Sequence, residues 1–133
     1  MSETRTSTGF GRALVAVYAV FALAASARSI YQLGAKAGEA PFAYTLSAIA
    51  ALVYVVATWA LATDRRRIAA STIAFELVGV VGVGLLTVLD GELFPDQTVW
   101  SGFGEGYLFI PLVLPFVGLW WLRRTRGPQQ IDV

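Results

Sequence analysis

Glu76 is the residue whose type and position point most directly to chemistry, because it is a carboxylate inside the apolar run Ile68–Leu89. At the usual helical rise it lies about 12 Å beyond the arginines that precede the run, near the middle of a hydrocarbon layer ~30 Å thick. An acid at that depth is costly, faces other protein groups, and often marks a proton or ion pathway. Arg28 and Tyr54 are the natural groups to act with it, the first as a tuning cation and the second as a hydroxyl donor. Counted from Ala13, Arg28 stands about 22 Å into its own run, so the two Cα levels differ by roughly 10 Å. A link then needs extended side chains, or Tyr18, Tyr54 or a water between them. The competing reading has Arg28 reaching outward to the headgroups and Glu76 held by Ser, Thr or Tyr hydroxyls as a packing anchor.

Other chemistry is scarce. Cysteine and histidine are both absent, which removes disulfides, thiolate and imidazole catalysis, and the usual zinc, haem and copper ligands. No nucleophile, base and orienting group converge recognisably, so no enzymatic activity, metal or cofactor is expected. The carboxylates Asp90, Glu92, Asp96 and Glu105 lack calcium-loop spacing and read as a solvated acidic loop. The glycines from Gly102 to Gly106 alternate, but no strand precedes them, so they are not a phosphate-binding loop.

The elements that must position these residues are membrane helices. The 133 residues are 56% hydrophobic with a mean hydropathy of +0.64, too little polar surface for a water-soluble globule. Four apolar runs, 13–33, 42–63, 68–89 and 106–122, have roughly the length that a helix needs to cross a bilayer. They predict an all-α, up-down bundle of four transmembrane helices, with segments 1–12 and 123–133 outside the membrane. Ala19, Ala22, Ser26 and Ser29 share one face of the first helix, and Ala43, Ser47, Ala50, Tyr54 and Thr58 one face of the second. Such small-residue faces admit a neighbouring backbone, as do Gly79, Gly82 and Gly84 in the third. Pro111 and Pro115, one turn apart, predict a kink or hinge in the fourth.

Arginines cluster at one end of each run: Arg5 and Arg12, Arg65 to Arg67, and Arg123, Arg124 and Arg126. By the positive-inside rule that end is cytoplasmic and both termini lie inside. The Arg65–Arg67 run would attract anionic lipid headgroups and anchor the orientation. Glu39, Asp90, Glu92, Asp96 and Glu105 fall outside, against Lys36 and Arg28. Trp59, Trp120 and Trp121 mark the inner interface, and Tyr31, Phe42, Tyr44, Trp100 and Tyr107 the outer one. The first run also imitates a secretory signal, with Ala25-Ser26-Ala27 as its cleavage site; cleavage would leave three helices.

The stretch Val99-Trp-Ser-Gly-Phe-Gly-Glu-Gly-Tyr107, followed by Ile110-Pro-Leu-Val-Leu-Pro115 and Gly118-Leu-Trp-Trp-Leu-Arg-Arg124, resembles small four-helix integral membrane proteins of actinobacteria. With Leu46–Tyr54 and Glu76-Leu-Val-Gly79, the resemblance covers about the latter two thirds of the chain. It implies a bacterial inner-membrane location without implying an activity. Small multidrug exporters also combine four helices with a membrane carboxylate, but theirs resembles a first-helix glutamate.

The expected function is a non-enzymatic accessory, assembly or interaction subunit. Trp100, Phe103 and Tyr107 of the outer loop would contact a second copy or a partner membrane protein. The alternative is a small proton- or cation-coupled transporter or channel using Glu76, Arg28 and Tyr54, with the proline pair as its hinge. The bilayer is a partner in either case, and nucleic acid in neither.

Overall fold

The computed structural model describes residues 9–35, 41–90, 98 and 100–125, apart from the side chains of residues 33, 35 and 41–43. Arg5, Lys36, Glu39, Glu92, Asp96, Arg126 and the Phe42 and Ala43 side chains, all part of the sequence reading, lie outside that description. The described regular structure is helical. It comprises α1 (Phe10–Ala35), α2 (Pro41–Ala62), α3 (Arg66–Leu89), a tight 3₁₀ segment (Ser101–Tyr107) and α4 (Ile110–Thr125).

Three helices, α1 to α3, are long and apolar enough to cross a membrane. They contain the expected runs 13–33, 42–63 but for Thr63, and 68–89. The expected run 106–122 is not one continuous helix, and its break lies before the proline pair that predicted a kink. Gly106 and Tyr107 belong to the 3₁₀ segment, which is bent by 96° from α4, so a fourth crossing exists only if the bent pair counts as one.

Packing follows residue size. α1 and α2 pack closely together, and their small residues Ala22, Ala25, Ser29, Ser47, Ala50, Ala57 and Ala60 are all buried, as side chains that let two backbones approach. The buried residues of α3 recur as Ala69, Ile73, Glu76, Val80 and Val83, a single helical face turned to the core. Large apolar side chains elsewhere point outward, as Leu23, Ile30, Leu52, Val78 and Leu89 do.

The α2–α3 connection is short because Asp64 takes a left-handed conformation (φ 60°) just past α2. Arg65 N–H then donates to the Ala60 carbonyl at 2.8 Å and Asp64 N–H to the Leu61 carbonyl at 3.4 Å. This is the paired closure that ends helices at a left-handed residue. Phe10 packs on the Trp120 and Trp121 rings, and Arg66 reaches the carbonyls of Leu122 and Thr125. The start of α1, the α2–α3 turn and the end of α4 therefore share one end of the molecule, where the described arginines other than Arg28 gather.

Candidate functional site

Glu76 is 0% exposed and faces the centre of the helix packing. Tyr18, eight residues into α1, donates its hydroxyl to Glu76 Oε1 at 2.7 Å. The levels match, since Tyr18 lies about 12 Å and Glu76 about 15 Å from the arginine-rich end at the helical rise. Tyr54 of α2 stands on the other side, also fully buried. It interacts with the same carboxyl, although its geometry falls short of a full hydrogen bond and Oε2 keeps no hydrogen-bond partner among the described residues. Phe21 stacks on Tyr54 at 5.5 Å between ring centroids, and Tyr107 meets Phe21 edge-on at 5.6 Å. The carboxyl thus sits at the base of an aromatic cluster drawn from α1, α2 and the 3₁₀ segment.

Trp100 completes this cluster. Its indole N–H donates to the Tyr54 hydroxyl at 3.0 Å, which leaves the Tyr54 proton to face Glu76. The indole lies against Gly79 and the Phe103 ring against Gly84, each so close that a Cβ at either glycine would overlap the ring. These contacts draw Trp100 to Tyr107 down between the helices. Irregular backbone at such depth needs internal partners, and hydroxyls supply several. Trp100 N–H donates to Thr98 Oγ1 at 3.1 Å, Thr98 N–H to Ser101 Oγ at 2.9 Å, and Gly102 N–H to Thr87 Oγ1 at 2.8 Å. Gly102, Phe103 and Gly104 form a left-handed turn. Gly104 has φ +85° and lies so near the Pro111 ring that any Cβ would come within 2.8 Å of it, so only glycine fits.

The other expected site residues fall elsewhere. Arg28 donates to the Tyr107 hydroxyl at 3.4 Å and lies over that ring; it stands ten residues beyond Tyr18, about 15 Å further along α1. Pro111 occupies the first turn of α4, where a missing N–H costs nothing, and only Pro115 lies inside the helix. The sharp bend lies before both prolines, at Leu108 and Phe109, which hold φ near +60°. Trp100 is 1% exposed and serves internal packing, while Phe103 and Tyr107 are half-buried; Tyr44 and Trp121 are buried as well.

Sequence reasoning missed Arg66, which is 4% exposed. Its guanidinium donates to the Leu122 carbonyl at 3.0 Å and the Thr125 carbonyl at 2.8 Å, and its Nε lies 3.7 Å from Asp64. A cation at the carboxyl end of α4 satisfies carbonyls that the helix leaves open. The signal available was weak: the middle arginine of three is the one whose direction turns inward.

A lone carboxyl, two phenols and an indole can exchange or hold a proton and can lock helices together. Among the described residues no group of three or more acidic, histidine or cysteine side chains could hold a metal. No family model, curated protein or solved structure matches the chain.

Proposed function

We propose that the chain is a non-enzymatic subunit of the bacterial cytoplasmic (inner) membrane that works by helix association, with Glu76 as its internal anchor. In this reading the bundle is up-down with four crossings, the fourth broken at Leu108 and Phe109, and both termini are cytoplasmic. Arg12, Arg65, Arg67, Arg123 and Arg124 at one end support that orientation. The actinobacterial resemblance supports the same location.

The carrying observation is the complete burial of Glu76 on the Tyr18 hydroxyl, at the junction of three helices with the Trp100 segment. A polar group so placed ties helices together where apolar burial gains little. With Trp100 and Phe103 turned inward, a candidate surface for a second copy or a partner's helix is an apolar groove of about 330 Å³ between α1 and α4, lined by Ala13, Val17, Leu108 and Val113 among others. The test is Förster transfer between labelled copies in vesicles, with a pull-down for other partners. Ala13→Trp, which fills the groove, is expected to abolish association; association unchanged in that variant counts against it.

A second reading, proton- or cation-coupled transport, is favoured by the buried Oε2 of Glu76, which has no hydrogen-bond partner among the described residues. Its test is pH-driven flux in proteoliposomes for wild type and Glu76→Gln. Flux lost only in the variant moves the assignment to transport, and no flux from either folded protein leaves Glu76 as an anchor.

A further inference from the structure

We propose that the cleft between the first turns of α3 and the last turns of α4 binds a phosphate-bearing anion, the chemistry shared by acidic phospholipid headgroups and free phosphate. The cleft has a volume of about 410 Å³ and is lined by Arg66, Arg67, Ser71, Leu119, Leu122 and Arg123, with Ala70 at its wall. That volume falls within the range of roughly 300–1,000 Å³ usual for small-molecule sites.

Charge makes the site. Arg67 and Arg123 are exposed, and no carboxylate among the described residues pairs with either; Asp64 is engaged by Arg66. Two cations facing one cleft repel each other, and a bound phosphate relieves that repulsion through charge-assisted hydrogen bonds. Ser71 lies one turn beyond Arg67 on the same face of α3 and adds a hydroxyl donor.

The helix ends reinforce the same sign. The amino end of α3 is partially positive, while the carboxyl end of α4 would repel an anion if its carbonyls were open. Arg66 covers them, at Leu122 and Thr125, and so removes that repulsion. Leu119 and Leu122 provide an apolar wall beside the charges, as an amphipathic ligand requires. The depth fits a headgroup, since Trp59 and Trp120 at this end are exposed with Arg65 and Arg124 over their rings. Basic clefts between helices at the cytoplasmic surface are a known way of holding anionic lipids.

The inference rests on the membrane reading, so the experiment begins by washing reconstituted vesicles at alkaline pH. Protein released by the wash refutes the membrane reading itself. Protein that stays is moved into nanodiscs of phosphatidylcholine with or without phosphatidylglycerol, and retained lipid is counted by native mass spectrometry. The comparison is wild type, Arg67→Gln/Arg123→Gln, and the equal-charge control Arg65→Gln/Arg124→Gln. Wild type and control are expected to retain phosphatidylglycerol selectively, and the cleft variant to bind it about tenfold more weakly, the scale of a lost charge-assisted hydrogen bond. A parallel arm titrates inorganic phosphate against chloride in neutral detergent; protection by phosphate that the cleft variant alone loses assigns the site to the free anion. Equal loss in both double variants, or no preference in wild type for either phosphate source, overturns the site.

Discussion

The tightest test of the fold uses three glycines of α3 that look alike in sequence. A Cβ at Gly79 would lie 2.5 Å from Trp100 Cζ3 and 2.7 Å from Cη2, whereas one at Gly82 meets nothing within 4 Å. Trp100 cannot retreat cheaply, because it is fully buried and its indole and backbone N–H groups are both engaged. Gly79→Ala therefore forces overpacking worth about 1–3 kcal/mol, and a further ~1 kcal/mol if the indole leaves Tyr54. Better helix propensity returns up to ~1 kcal/mol in both variants. Gly79→Ala is expected to lose about 1–3 kcal/mol net, and Gly82→Ala to match or exceed wild type. Reversible unfolding in mixed micelles, followed by circular dichroism, measures both. Trp100→Phe removes the atoms that collide, so the double variant Gly79→Ala/Trp100→Phe should cost less than the sum of the singles. Equal damage from Gly79→Ala and Gly82→Ala, or strict additivity in the cycle, refutes the placement of Trp100.

Tyr18→Phe removes the hydroxyl on Glu76 Oε1 and should cost about 1–3 kcal/mol of unfolding free energy in micelles, with most of that loss absent when Glu76→Leu is already present. Arg66→Gln should cost roughly 3 kcal/mol through the carbonyls of Leu122 and Thr125, while Arg67→Gln stays within about 0.5 kcal/mol; equal effects in the same unfolding assay would contradict the inward direction of Arg66. Leu108 is 83% exposed with φ 60°, so Leu108→Gly relieves about 1 kcal/mol of left-handed strain and should leave thermal stability equal or higher, whereas Leu112→Gly inside α4 should lower it by about 1 kcal/mol.

Hydropathy located the three long helices because crossing a bilayer demands a length and an apolarity that any window of the chain reveals. Small-residue spacing likewise anticipated the burial of Ala22, Ser29, Ser47 and Ala50. The fourth run misled for a related reason: Gly106 to Phe109 is as apolar as a helix start, and hydropathy does not register a left-handed turn. Glu76 stood out as the costly residue, whereas Tyr18 entered only as a bridge to Arg28 or among the hydroxyls of the packing reading. Tyr18 is 58 positions away, and only the helix bounds of the structure bring it to nearly the same level as the acid. One overlooked signal was present. Gly79 and Gly84 in α3 are slots, Trp100 and Phe103 are the bulky rings that fill them, and holes and rings appear in the same chain as unexplained glycines and unexplained aromatics.

The aromatic segment and the buried acid form one unit, because Tyr54 is in contact with both. Its hydroxyl accepts from the Trp100 indole and faces Glu76, so withdrawing Trp100 frees a Tyr54 lone pair and lets the phenol rotate relative to the carboxyl. Nothing in local helix geometry requires that link; it exists because the turn at Gly102 to Gly104 brings Trp100 down to the level of Gly79, one turn above Glu76. A change that lifts the turn must then be felt at the acid. An anchor and a proton site make opposite demands on that coupling. An anchor needs the cluster held shut, whereas a proton site needs it to open toward one side. Displacing Trp100 through Gly79→Ala consequently separates the two functional readings at a distance from Glu76 itself: association should weaken if the cluster only holds helices together, and flux should change if the carboxyl exchanges protons.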